Sequence, residues 1–150
     1  MAKFDTVSDA SWVLLGKLTL SGTSTVTTSL IDLQGYNALD VAFLNATVTD
    51  AGAAAGYTAK LQECETTAAS SFTDVAAADS VTGVVSTSTT LDTDDDKLTA
   101  VLGYRGGKRY VRVSATGTAL SDAVVYVLGR RSRSGAARPV TVIGAATAAT

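Results

Sequence analysis

The run Leu39-Asp-Val-Ala-Phe-Leu-Asn-Ala-Thr-Val constrains this chain more than any other segment. At the period of two that separates the faces of a β-strand, Leu39, Val41 and Phe43 fall on one side and Ala42, Leu44 and Val48 on the other. A strand apolar on both sides is a central strand covered twice, by a second sheet or by a partner subunit.

The rest of the vocabulary agrees with β-structure. Thr and Ser supply 37 of the 150 residues, proline appears once and histidine never. Segments rich in Val, Thr, Leu and Tyr alternate with Gly, Asn, Asp and Ser clusters, and no long helical period interrupts them. Strands are predicted near Trp12 to Leu20, Thr25 to Leu33, Leu39 to Thr49, Tyr57 to Glu65, Val81 to Thr87, Leu98 to Tyr104, Arg109 to Ala115 and Ala123 to Leu128, with a weaker ninth at Val140 to Ile143. Ala51 to Gly56 reads as a loop. One helical turn is expected within Phe72 to Asp79, capped by Thr73 or Asp74.

Short strands with one long excursion between Glu65 and Val81 fit an all-β, two-sheet jelly-roll-like sandwich with extended terminal arms. The alternative is a seven-strand immunoglobulin-like sandwich. The expected division is an N-terminal arm over 1–11, a β-sandwich domain over 12–129 and a basic C-terminal arm over 130–150.

Charge supports that last boundary. All 14 acids and eight of the 12 bases precede residue 130, whereas Arg130, Arg131, Arg133 and Arg138 follow with no acid among them. An acidic body with a basic end marks the end as a separate contact element. The arginines lack interleaved aromatics, so specific nucleic-acid binding is not expected. The longest apolar runs fall far short of the roughly 20 residues that span a bilayer. MAKFDTVSDA has no apolar signal segment, and the expectation is a protein made in the cytoplasm without a membrane partner.

The inventory for catalysis is thin. There is no His for general base work or metal binding, Cys64 is the sole cysteine, and Glu63 and Glu65 are the only glutamates. No nucleophile elbow, phosphate loop or dinucleotide fingerprint is present, so neither enzymatic activity nor a cofactor is expected. Cys64 reads as a small half-buried strand residue. Asp92-Thr-Asp-Asp-Asp96 offers hard oxygen ligands, but an EF-hand loop wants Gly where Lys97 stands and Glu where Gly103 stands. A solvated turn and a calcium site of another type both remain open for it, and no metal ligand is assigned.

Residues 104 to 113, YRGGKRYVRV, crowd four cations around a Gly-Gly pair. With Gly106-Gly107 as a two-residue type I′ turn, Leu102 faces Val111, Ala100 faces Val113, Tyr110 covers Gly103 and Tyr104 stacks on Arg109. A β-hairpin is therefore expected, leaving Arg105 and Lys108 at its tip as contacts for an acidic partner.

Three segments in a fixed order carry a resemblance. Tyr57-Thr-Ala-Lys-Leu-Gln-Glu-Cys-Glu, Ser71-Phe-Thr-Asp-Val-Ala-Ala-Ala-Asp and Leu102-Gly-Tyr-Arg-Gly-Gly-Lys-Arg-Tyr-Val-Arg-Val resemble small structural proteins of tailed bacteriophages. The resemblance spans about residues 57 to 113, with Cys64 standing where the pattern has Ser or another small polar residue. It implies a head decoration or cement protein on the capsid surface, with the major capsid protein and itself, as homotrimer or homodimer, for partners. Two rivals stand beside it, a carbohydrate-binding or adhesive β-sandwich of a phage fibre and a head-completion or tail-tube protein. The contact candidates remain Arg130, Arg131, Arg133, Arg138, Arg105 and Lys108.

Overall fold

The computed structural model describes residues 10–49, 56–80 and 98–133. Among the described residues period-two alternation becomes nine strands: β1 (Ala10–Gly22), β2 (Thr25–Thr27), β3 (Ile31–Asp32), β4 (Ala38–Thr49), β5 (Gly56–Cys64), β6 (Thr73–Asp74), β7 (Leu98–Tyr104), β8 (Tyr110–Thr118) and β9 (Leu120–Ser132). The segments predicted at Val81 to Thr87 and Val140 to Ile143, and the Asp92 to Asp96 run, lie outside the described residues.

Two antiparallel sheets pack face to face. The first has the order β1-β9-β4-β7 and the second β2-β8-β5-β6, with β3 also on β8. Because β5 pairs along the whole of β8, both β2 and β3 lie on its other side, as two halves of one broken strand. Thr28 spans the break: its N–H donates to the Val113 carbonyl at 3.0 Å and its hydroxyl accepts from the Val113 N–H at 3.0 Å. Eight strand positions in this order, with the chain changing sheets at almost every connection, make a jelly roll. The immunoglobulin-like alternative requires another strand order and does not hold.

The core is the inner face of both sheets. Leu39, Val41 and Phe43 from β4 meet Val125 and Val127 from β9, and across the gap lie Tyr57, Ala59, Leu61, Val111, Val113 and Ala115, all buried. Each fully buried Val, Leu or Phe contributes about 1.5–3 kcal/mol relative to exposure. The phenolic hydroxyl of Tyr57 donates to Asn45 Oδ1 at 2.7 Å, tying the sheets together through the core.

Val48 faces inward, against the simple alternation, because the register of β4 on β9 shifts between Asn45 and Thr47. That bulge returns Val48 to the core side. A second register shift between Leu14 and Gly16 does the same for Leu15, with Gly16 at φ 145°, a conformation that glycine tolerates. Trp12 and Leu14 therefore point out of the sandwich while Leu15, Leu18 and Leu20 point in.

The expected hairpin is not formed. β7 pairs with β4 in the first sheet, β8 pairs with β5 in the second, and residues 105–109 carry the chain between sheets. Gly103 lies opposite Asp40, Tyr110 lies opposite Asp32 and Cys64, and Arg109 covers Tyr110 at 5.0 Å rather than Tyr104. Neither Gly106 nor Gly107 has a positive φ, so the type I′ turn is absent too. The matched apolar faces that suggested pairing reflect two strands that each turn one face to a shared core.

The excursion after β5 holds the expected helical turn, a 3-10 turn at Ala77–Asp79, but differs in its capping and in what precedes it. Thr73–Asp74 is a short strand, and single 3-10 turns flank it at Ala69–Ser71 and Ala77–Asp79, neither with a side-chain cap. Asp74 is held to β5 instead, accepting from Lys60 Nζ at 2.6 Å and Gln62 Nε2 at 2.9 Å. Cys64 ends β5 and is buried, its sulfur accepting the Thr66 N–H at 3.3 Å.

Candidate contact surfaces

One end of the sandwich gathers cations around an open cleft of about 520 Å³. The β3–β4 loop supplies Leu33, Gln34, Tyr36 and Asn37, and the crossover between β7 and β8 supplies Arg105 to Arg109. The crossover is shaped by Tyr104, whose buried ring turns back beneath it. Its hydroxyl donates to Glu63 Oε2 at 2.6 Å and accepts the Lys108 N–H at 3.0 Å. Burial, reinforced by the bond to Glu63, holds this phenol well above the usual tyrosine range.

The three cations of the crossover are anchored differently. Arg109 forks onto Asp32, with Nε to Oδ1 at 3.0 Å and Nη2 to Oδ2 at 2.8 Å. With the Gln34 N–H also on Oδ1, this arginine pulls the Asp32 pKa down to about 2. Lys108 pairs with Glu65 at 3.3 Å, both side chains about half exposed. Among the described residues the Arg105 side chain reaches a carbonyl alone: Nε and Nη2 donate to the Ala78 oxygen at 3.3 and 3.2 Å. Its guanidinium is exposed and keeps donors facing solvent.

The terminal arginines divide between two places. β9 runs through Ser132, so Arg130 and Arg131 belong to a central strand, opposite Trp12 and Ser11 on β1 and opposite Asp40 and Leu39 on β4. Arg131 closes the end of the sandwich: it covers the Tyr36 ring at 4.5 Å and donates to the Asp32 carbonyl at 3.0 Å and to Ser11 Oγ at 3.1 Å. Arg133 also approaches Tyr36, at 5.4 Å. Tyr36 thus joins Arg131 and Arg133 to the cleft that Arg105 and Lys108 line. Arg130 stands apart on the outer face of the first sheet, its Nη2 2.8 Å from Asp40 Oδ2. Arg138 lies outside the described residues.

Arg109, Asp32 and Tyr36 link these groups; the sequence suggests Arg109 only as a stacking partner for Tyr104 and does not single out Asp32 or Tyr36. The YRGGKRY cluster signalled the arginine, but nothing local marked its carboxylate 77 positions away. The outer apolar face of β4 is legible in the sequence, but its extension onto β1 is not, where Trp12 is 67% exposed and Leu14 63%.

Among the described residues no group of three His, Cys, Asp or Glu side chains is placed to hold a metal ion. No helix among them is long and apolar enough to cross a membrane. Fold and surface together define a jelly-roll β-sandwich with a cationic end and an apolar outer sheet. Neither the family models nor the curated proteins compared with this chain give a match.

Proposed function

We propose that this chain is a structural protein of a bacteriophage virion, a decoration protein that binds the outside of the assembled head and stabilises it without catalysing a reaction. The observation that carries this reading is how the three segments of the phage resemblance come together. They are β5, the turn-strand-turn after it, and β7 with β8, and they form one connected cluster. Glu63 holds Tyr104, Asp74 holds Lys60 and Gln62, Arg105 holds the Ala78 carbonyl, and Arg112 bonds Gln62 while covering the Phe72 ring at 4.3 Å. A shared order of segments that makes one structural unit is what a common fold leaves in sequence.

In this role the major capsid protein is the principal partner, and the exposed Arg105, Lys108 and Arg133 are contacts for acidic groups on the head. Weak contacts of this kind gain strength by repetition over a lattice. The expected result is co-sedimentation of the purified protein with undecorated heads and a higher temperature of head disruption. Failure to co-sediment at low and moderate salt refutes the reading. Exposed Trp12 favours one alternative, an adhesive or carbohydrate-binding sandwich on a fibre. Decoration requires hundreds of copies per particle in a stained gel of virions, and a faint band would select the fibre or a head-completion protein instead.

A further inference from the structure

Among the described residues, no second layer covers β4 within one copy. Its inner side chains are buried in the core, whereas Ala42 and Leu44 face outward and are only half-buried. Cross-strand registers extend this outer face into rows across the first sheet. One row reads Trp12, Arg130, Asp40, Gly103; the next reads Leu14, Leu128, Ala42, Val101; the third holds Lys17, Tyr126 and Leu44. Trp12, Leu14 and Tyr126 are among the large apolar side chains left exposed.

We propose that this face packs on the same face of a second copy, about a two-fold axis running along the strands. Such an axis, midway between β9 and β4, exchanges β1 with β7 and β9 with β4 while keeping each residue at its height. Leu14 then lies over Val101 of the second copy, Leu128 over Ala42 and Tyr126 over Leu44, while Trp12 stands at the margin beside Gly103, which its own copy already buries. The bulky half of each face meets the small half of the other, which is the fit that close packing requires.

Charge follows the same symmetry, since Arg130 of one copy meets Asp40 of the other. Each already pairs within its own copy, so the two ion pairs become one four-membered network at the interface. Four strands about 4.8 Å apart and rows from Arg130 to Val124 give on the order of 500 Å² per copy in projection. Side-chain relief enlarges this toward the roughly 800 Å² per partner of a standard interface.

The test uses the purified full chain alone, so it is independent of the capsid reading. Sedimentation equilibrium from about 1 to 200 μM should show a monomer–dimer equilibrium. Leu14→Glu should raise the dissociation constant at least 30-fold while leaving the melting temperature of the monomer unchanged. Geometry is read by cross-linking Leu14→Cys and Val101→Cys proteins, each in a Cys64→Ser background, with a bis-maleimide spanning about 10 Å, the distance between stacked sheets. The mixture should give a covalent dimer and each variant alone should not, because the two β1 strands lie at opposite margins of the interface. A chain that stays monomeric at 200 μM, a trimer, an indifferent Leu14→Glu, or Leu14→Cys linking to itself as readily as to Val101→Cys overturns the proposal. Retained head binding by a strict monomer overturns it while leaving the decoration role intact.

Discussion

Replacing Gly106 by alanine distinguishes the crossover from the hairpin that the sequence suggests. A Cβ at this position would stand 2.5 Å from Cζ and 2.6 Å from Cε2 of Tyr104, and closer still to its hydroxyl. The ring cannot retreat freely, because it is buried and its hydroxyl is held by Glu63 and by the Lys108 N–H. Overpacking of this sort costs about 1–3 kcal/mol, and a displaced hydroxyl forfeits about 1 kcal/mol or more for each hydrogen bond. A loss of about 3 kcal/mol is expected, read as a fall of about 6–12 °C in melting temperature for a domain of this size. Gly107 is the control: a Cβ there meets nothing within 4 Å, and its φ is not positive, so Gly107→Ala should be near neutral. In a Tyr104→Phe background the cost of Gly106→Ala should persist, since the ring carbons remain. Equal losses at the two glycines, as a type I′ turn with two positive φ angles would give, refute the crossover.

Two further outcomes follow from the cationic end. Asp32 has a folded pKa of about 2, below its ordinary value of 3.8, because of the Arg109 fork, so its contribution to stability is present above about pH 4 and lost as pH falls toward 2. Asp32→Asn should flatten the stability profile in that window in acid unfolding curves, with a small amplitude because the pair is exposed. Ending the chain after Gly129 rather than after Arg133 should lower the melting temperature, since it removes the Arg130–Asp40 pair, the Arg131 closure on Tyr36, and the Asn37 Nδ2 bond to the Arg133 carbonyl. Identical melts for the two truncations would show those arginines to be ornamental.

Faces were legible in the sequence and partners were not. Leu39, Val41 and Phe43 announced an inner face because burial acts on every second side chain. Val48 escaped the pattern because a bulge shifts the period without a local residue signal. Leu102 and Val111 looked like hairpin partners for the same reason: alternation reports which way a side chain points, not which strand lies beside it. Arg130 and Arg131 look like part of an arm because strand ends at the rim of a sandwich tolerate charge. The distant Ser11, Asp32, Tyr36 and Asp40 show what holds them.

The placement of β9 bears on how the molecule is made. It lies between β1 and β4 in the first sheet, pairing with both over nearly its whole length. Until the ribosome has released residues as far as Ser132, β1 and β4 have no bridge, and their core-facing leucines, valines and phenylalanine stay uncovered. Folding of the described domain is therefore obliged to wait for β9, and contacts between residues more than a hundred positions apart form late. A nascent chain stalled before β9 should present an open half-sheet to chaperones, and synthesis and folding are thereby separated in time.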